Sequence, residues 1–169
     1  MITPAFLTAD DARTAFEAFV LTGIQLAMRK GHVNRKHLHV VVLTPGISYM
    51  DSTALPILFE YSIGNRSEWQ KWDGKTFDDF ARAKALISWR TGLSSREVVL
   101  TKPQLLLPGD TRLWGSSVYG GVVSAASGVQ PFFDEMFATM TSAAMVAEAS
   151  YYADHMAQNP AAPDFLEAT

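Results

Sequence analysis

Between Ala12 and Met28 the apolar residues Ala12, Phe16, Phe19, Val20, Ile24, Ala27 and Met28 recur at the spacing of one helical face. Thr8 precedes them as an N-cap, and Asp10 and Asp11 fall where the helix dipole favours negative charge. Gly31, after Arg29 and Lys30, closes this first helix. The β-branched run HLHVVVL at 37–43 stops at the turn signal Thr44-Pro45-Gly46 and predicts a buried strand. ILFEYSI at 57–63 predicts a second strand, or a hairpin running on through Trp69 with Gly64-Asn65 at its turn. Thr76 caps a helix from Phe77 to about Thr91, which Gly92 ends. EVVL at 97–100 suits a helix end or a short strand equally. The Gly, Ser, Val and Ala of 112–127 predict a strand pair packed closely on another layer. Pro131 then opens a long last helix with Phe133, Met136, Phe137, Met140, Ala144 and Ala147 as its apolar stripe. In the tail, NPAAPDFLEAT, Pro160 and Pro163 end any helix, so it lies outside the core.

Strands grouped between helices predict an α+β fold, an antiparallel sheet with helices packed on it, rather than a βαβ nucleotide fold. No G-x-G-x-x-G follows a strand and no P-loop occurs, which argues against nicotinamide and nucleoside triphosphate ligands. With 169 residues, 48% of them hydrophobic, the chain can bury one core, and a single domain over 1–169 is expected, with 157–169 as its tail. The net charge of -3 and the dispersed Lys and Arg leave no basic stripe for phosphates, so no nucleic-acid partner is expected. The absence of cysteine excludes disulfides, thiolate nucleophiles, Fe–S clusters and cysteine-held zinc. MITPAFLTADDA lacks a signal-peptide pattern, and no apolar run reaches the roughly 18 residues that span a bilayer. A cytoplasmic protein with no membrane partner is expected.

Three stretches carry a family resemblance. KWDGK holds Asp73 and Gly74; ARAKALISWRTGLSS holds Lys84 and Ala85; YGGVVSAASGVQPFFDE holds Gly120, Gly121, Ser127, Gly128 and Asp134. In order and spacing they resemble the R-M-D-G-A turn, the K-A-x-T-A helix and the late V-G-x-I-G-V-S-G strand of the GlcG/HbpS-like family, described as haem-degrading or haem-binding. The resemblance covers roughly residues 8 to 155. It implies a profilin-like sandwich, assembly into homo-oligomers, a ligand site near a subunit boundary and haem as a possible cofactor. The chain departs from the family pattern in three places. Thr44 stands where the family has an aspartate, Ser48 to Trp69 resembles an insertion, and PGDTRLWGSS replaces a Gly-Gly-x-Pro-Ile stretch.

Lys84 falls one turn after Phe80, on or beside the buried face of its helix. A desolvated lysine has a lowered pKa and serves as base or amine nucleophile; alternatively its stem covers apolar surface while its head pairs with Asp73. Arg66, Glu68, Trp69 and Trp72 form a polar-aromatic segment in which arginine could grip a carboxylate while an indole stacks on a flat ring. Arg112 and Trp114 repeat the pairing. Ser127-Gly128 lacks the G-x-S-x-G elbow and reads as a tight turn whose backbone N–H groups could bind an anion.

His37 and His39 share one face of their strand, and His32 or Glu60 could join them on a metal, but no third ligand has convincing spacing, so no metal site is assigned. His155 suits the negative end of the last helix. Met136, Met140 and Met145 belong to core or interface, although methionine can ligate haem.

Two functions follow. One is a binder of haem or another flat aromatic or carboxylated ligand. The other is a cofactor-independent lyase, isomerase or hydrolase on a small aromatic or carboxylated metabolite, with Arg66 or Arg112 as clamp and Lys84, Glu68 or Asp73 as acid or base.

Overall fold

The computed structural model describes residues 4–52 and 54–166. The predicted first helix forms as α1 (Ala9–Phe16), a π-helical turn (Glu17–Leu21) and α2 (Thr22–Arg29). Its start is a reciprocal cap: the Thr8 hydroxyl accepts from Asp11 N–H at 3.2 Å, and the Asp11 carboxylate accepts from Thr8 N–H at 2.8 Å. Phe16, Val20, Ile24 and Met28 are buried at four-residue steps, which drift by about 40° each on a regular α-helix. The wider π-turn takes up part of that drift. Phe19, expected on the apolar stripe, is left exposed.

Strands β1 (Leu38–Leu43), β2 (Ile57–Ile63), β3 (Ser116–Tyr119) and β4 (Val122–Ser127) form one antiparallel sheet in the order β2-β1-β4-β3. The expected α+β architecture is therefore present. β2 pairs with β1 from Leu38 opposite Ile63 to Leu43 opposite Ile57, so the stretch that resembles an insertion supplies an edge strand of the sheet. The hairpin expected to run through Trp69 does not form. After Ile63 the chain enters a 3-10 turn (Arg66–Glu68), and Trp69 folds inward, edge-on to His39 and Phe77.

Helix α3 (Phe77–Thr91) begins after Thr76 and ends at Gly92, as its sequence predicts. The ambiguous EVVL lies in a helix, α4 (Ser95–Thr101), because the Ser94 hydroxyl accepts from Glu97 N–H and caps it. The last helix is α5 (Pro131–Ala157). Its buried face only partly follows the expected stripe: Phe137 and Ala144 are buried and Phe133 and Met140 half-buried, but Met136 and Ala147 are exposed, whereas Ala138, Thr141, Ser142 and Met145 are buried. Close approach decides this. The Ser124 hydroxyl lies 2.6 Å from the Ala138 carbonyl oxygen and 2.6 Å from the Ser142 hydroxyl, a separation that only small side chains allow.

Helices cover both faces of the sheet. Leu38, Val40, Val42, Phe59 and Ala126 face α1, α2 and α5, while Val41, Leu43, Val123 and Ala125 face Ala81 and Ala85 of α3. The central strands β1 and β4 are thus buried on both sides, and for that reason their sequences, His39 apart, run apolar or small instead of alternating. Tail residues 159–166 are almost all exposed; 167–169 lie outside the described residues. Among the described residues no helix is long and apolar enough to cross a membrane.

Candidate functional site

A cavity of about 430 Å³ opens where the start of α3, the turn at Trp72, the loop before β1 and the junction of β4 with α5 come together. Trp72, Phe77, Phe80, Leu113, Val129 and Pro131 wall it, and Asn34, Arg35, Ser127 and Gln130 add polar groups. Mostly apolar walls with a few placed polar groups, at this volume, are the pattern of a small-molecule site. Arg35 is half-buried, with its guanidinium 5.8 Å from the centre of the Trp72 ring. Asn34 N–H donates to the Gln130 side chain at 3.1 Å and ties this loop to the start of α5.

The inner end is formed by Lys84 and Asp134, both almost fully buried. Lys84 Nζ donates to Asp134 Oδ2 and to the Ala126 carbonyl oxygen, each at 2.9 Å. Asp134 Oδ1 accepts from Val129 N–H at 3.1 Å. Burial pushes the Asp134 carboxyl up to about 6, against the pull of Lys84 and of the Val129 and Gly128 amides. Burial also drives the Lys84 ammonium down, against Asp134. Both shifts bring the two groups towards proton exchange, a condition suited to acid–base or nucleophilic chemistry.

Two glycines make this arrangement possible. At Gly115, φ is 144°, and a Cβ there would lie 2.5 Å from Asp134 Cβ and 3.1 Å from Lys84 Nζ. At Gly128, φ is 153°, and a Cβ would lie 2.2 Å from the His37 carbonyl oxygen. The pair and the β4–α5 turn both need backbone where a side chain would otherwise stand.

The three segments that carry the family resemblance, far apart in the chain, meet at this cavity. The first supplies Trp72, the second Lys84, and the third Ser127, Gly128 and Asp134. Other candidates lie elsewhere. Lys84 pairs with Asp134 and not with Asp73, which is exposed in the turn closed by Trp72 and Lys75 and has a φ of 51°. Arg66 binds Asp78 at 2.6 Å and stacks 4.7 Å from the Trp69 ring, so the expected clamp and its stacking surface are occupied by each other. Glu68 is exposed and bonded to Asn65. Arg112 and Trp114 border a separate depression with Val99, Leu100 and Leu106.

Of the residues lining the cavity, Asn34, Arg35, Leu113, Val129 and Gln130 were not singled out from the sequence, Phe77, Phe80 and Pro131 were read only as helix positions, and Asp134 only as part of the family-like stretch. Only Asp134, an acid in the first turn after Pro131, carries a local signal.

A second polar cluster lies between β2 and α3. The His39 ring nitrogens meet Ser62 Oγ at 2.9 Å and Glu60 Oε1 at 3.3 Å, and both Glu60 oxygens accept from Arg82 at 2.7 and 3.0 Å. Burial lowers the His39 pKa against the pull of Glu60, which favours a neutral ring. Burial pushes Asp78 upward, but hydrogen bonds from Thr76 and Arg66 and the Arg66 charge prevail and hold it at about 2. Its folded pKa is thus depressed, so its contribution is present above the unfolded value near 3.8 and is lost as pH falls through 2. Urea unfolding of wild type and Asp78→Asn is expected to differ by about 2 kcal/mol at pH 6, with the gap closing between about pH 4 and 2. A gap unchanged by acid would mean that the charge contributes nothing. Among the described residues no group of three His, Asp or Glu is placed to hold a metal ion.

The cavity does not fit a ligated haem. Iron is held by His, Met, Tyr or Cys, and none of these lines it; Met145 is buried in the core, and neither it nor Met136 or Met140 lines the cavity. Comparison with protein-family models, with characterised proteins and with solved structures finds no significant match to the chain.

Proposed function

We propose that this protein is a small-molecule-binding protein that takes up a flat, carboxylated aromatic compound in the cavity between Trp72 and Lys84. The observation that carries this reading is the combination of aromatic walls with a half-buried arginine. Trp72, Phe77 and Phe80 offer ring faces and edges to a planar ligand, and Arg35, the cation beside them, offers the forked donors that match a carboxylate. Arg35 takes the clamp role because Arg66 is committed to Asp78 and Arg112 lines a different depression. The N-terminus of α5, with Ser127 and Gln130 beside it, adds further donors for negative charge. The GlcG/HbpS-like resemblance supports a ligand site here, since its three segments border the cavity, while the chemistry of the walls points to an organic acid in place of haem.

Calorimetric titration with 4-methylbenzoate and 2-naphthoate tests this. Saturable one-to-one binding is expected, weakened roughly 10- to 150-fold in Arg35→Ala, the equivalent of a charge-assisted hydrogen-bond pair. Equal affinity in the variant would remove Arg35 as the clamp. No saturable heat from either acid would overturn the reading.

A further inference from the structure

At the inner end of the cavity lies a group that binding alone does not require. Holding a carboxylate needs the half-buried arginine and the ring surfaces; it does not need an ammonium and a carboxylate sealed against each other beneath them. Such a pair is expensive to desolvate, and apolar residues of the same size would fill the space with equal or greater stability. We propose that Lys84 is an amine nucleophile that forms an imine with an aldehyde or ketone group on the carboxylated aromatic ligand, with Asp134 handling the proton. The proposal rests on the ligand site described above and adds a covalent step to it.

Geometry assigns the roles. Lys84 Nζ is fixed by two acceptors, the Ala126 carbonyl oxygen and Asp134 Oδ2, and therefore has a defined direction at the base of the cavity. Asp134 is within one hydrogen bond of the amine, and its other oxygen is held by the Val129 amide, so it can take and return a proton without moving. Phe80, one turn before Lys84 on α3, places an aromatic wall beside the amine, which keeps water away from an imine that water would hydrolyse. Arg35 is half-buried and Lys84 fully covered, so the two cations mark the outer and inner ends of the site. A ligand with its carboxylate on Arg35 therefore directs its opposite end towards Lys84.

In the step itself, Asp134 accepts a proton from the Lys84 ammonium. The free amine attacks the carbonyl carbon, forming the N–C bond, and the carbonyl oxygen becomes a hydroxyl with a proton shifted from nitrogen. Asp134 then protonates that hydroxyl, which leaves as water as the C=N bond forms. The sum is ammonium plus aldehyde giving protonated imine plus water, with Asp134 again a carboxylate. No oxidant or other reactant is required.

The test uses the wild-type protein with 4-carboxybenzaldehyde, reduction by cyanoborohydride and peptide mapping by mass spectrometry. Reduced adduct is expected chiefly on Lys84, with 4-methylbenzoate suppressing it in competition, even though the remaining lysines are far more exposed. Labelling spread over Lys30, Lys36, Lys71 and Lys75 with Lys84 unmodified would overturn the proposal. Should 4-methylbenzoate bind in calorimetry while Lys84 stays unmodified, the imine is refuted and the binding site stands. Failure of both measurements refutes both. Asp134→Asn, which keeps the shape of the side chain, is expected to slow adduct formation at least 10-fold; an unchanged rate would remove Asp134 from the step.

Discussion

Lys84→Met is expected to lower the unfolding free energy by about 3–5 kcal/mol, because it leaves the Asp134 carboxylate buried without its cation. Methionine nearly matches the lysine stem in length, so little of the loss comes from packing. The double variant Lys84→Met with Asp134→Leu removes both charges and is expected to regain most of that stability, and to match or exceed wild type if leucine fits beside Gly115. Urea unfolding of the wild type and of the two variants measures both quantities. If the single variant loses less than about 1 kcal/mol, the pair is not isolated from water as the structure has it. The comparison also bears on function. A double variant as stable as wild type that still binds 4-methylbenzoate would mark the ion pair as dispensable for the fold, and so as retained for its chemistry.

Gly128→Ala is the second substitution with a large expected effect. The new methyl would meet the His37 carbonyl oxygen at 2.2 Å, and Leu38 Cα lies 2.8 Å away. The collision is with backbone of the neighbouring strand, which no rotamer change relieves, and the φ of 153° is unfavourable to a residue with a Cβ. Strain and overlap together should cost about 2–5 kcal/mol. The shift needed to relieve them would part β4 from β1 at its end, where Ser127 lies opposite His39, and would move Ser127 and Asp134 out of the cavity. Loss of ligand binding with the fall in melting temperature is therefore expected. A variant that melts like wild type would show that the β4–α5 turn tolerates a side chain and that its close approach to β1 is not tight.

The local elements were legible in the sequence to different degrees. Caps at Thr8 and Thr76, the stop at Gly92 and the start at Pro131 act through neighbours in the chain, and each lies where it was expected. The run VVVL in β1 showed a strand buried on both faces, and the fold class followed from the order of elements. Expectations failed where a distant partner intervened. Met136 was assigned to the buried stripe on hydrophobicity, yet α5 presents Ala138 and Ser142 to β4 because the helix sits too close for anything larger. Phe19 was assigned by a regular 3.6-residue period that a π-turn interrupts. Within the segment 48–69, the strand expected at ILFEYSI does form and makes the sheet edge, but the hairpin through Trp69 does not, because Trp69 turns inward onto His39 and Phe77.

For the site, the residue types announced chemistry but not partners. Lys84 stood out as a lysine among small and apolar neighbours, Trp72 as an aromatic before a turn, and Ser127-Gly128 as a tight junction; all three border one cavity. Pairing by proximity in sequence assigned Lys84 to Asp73 and the clamp to Arg66. The fold instead brings Asp134 to Lys84 across fifty positions and Arg35 to Trp72 across the sheet edge, while Asp78 takes Arg66. By itself the sequence determined where helices and strands begin, which faces are apolar and which lysine is costly to place, since these depend on spacing and on contacts within a few residues. Only the tertiary structure decided which charge neutralises that lysine and which arginine faces the cavity, because those choices depend on through-space distances set when separate elements pack on a common sheet.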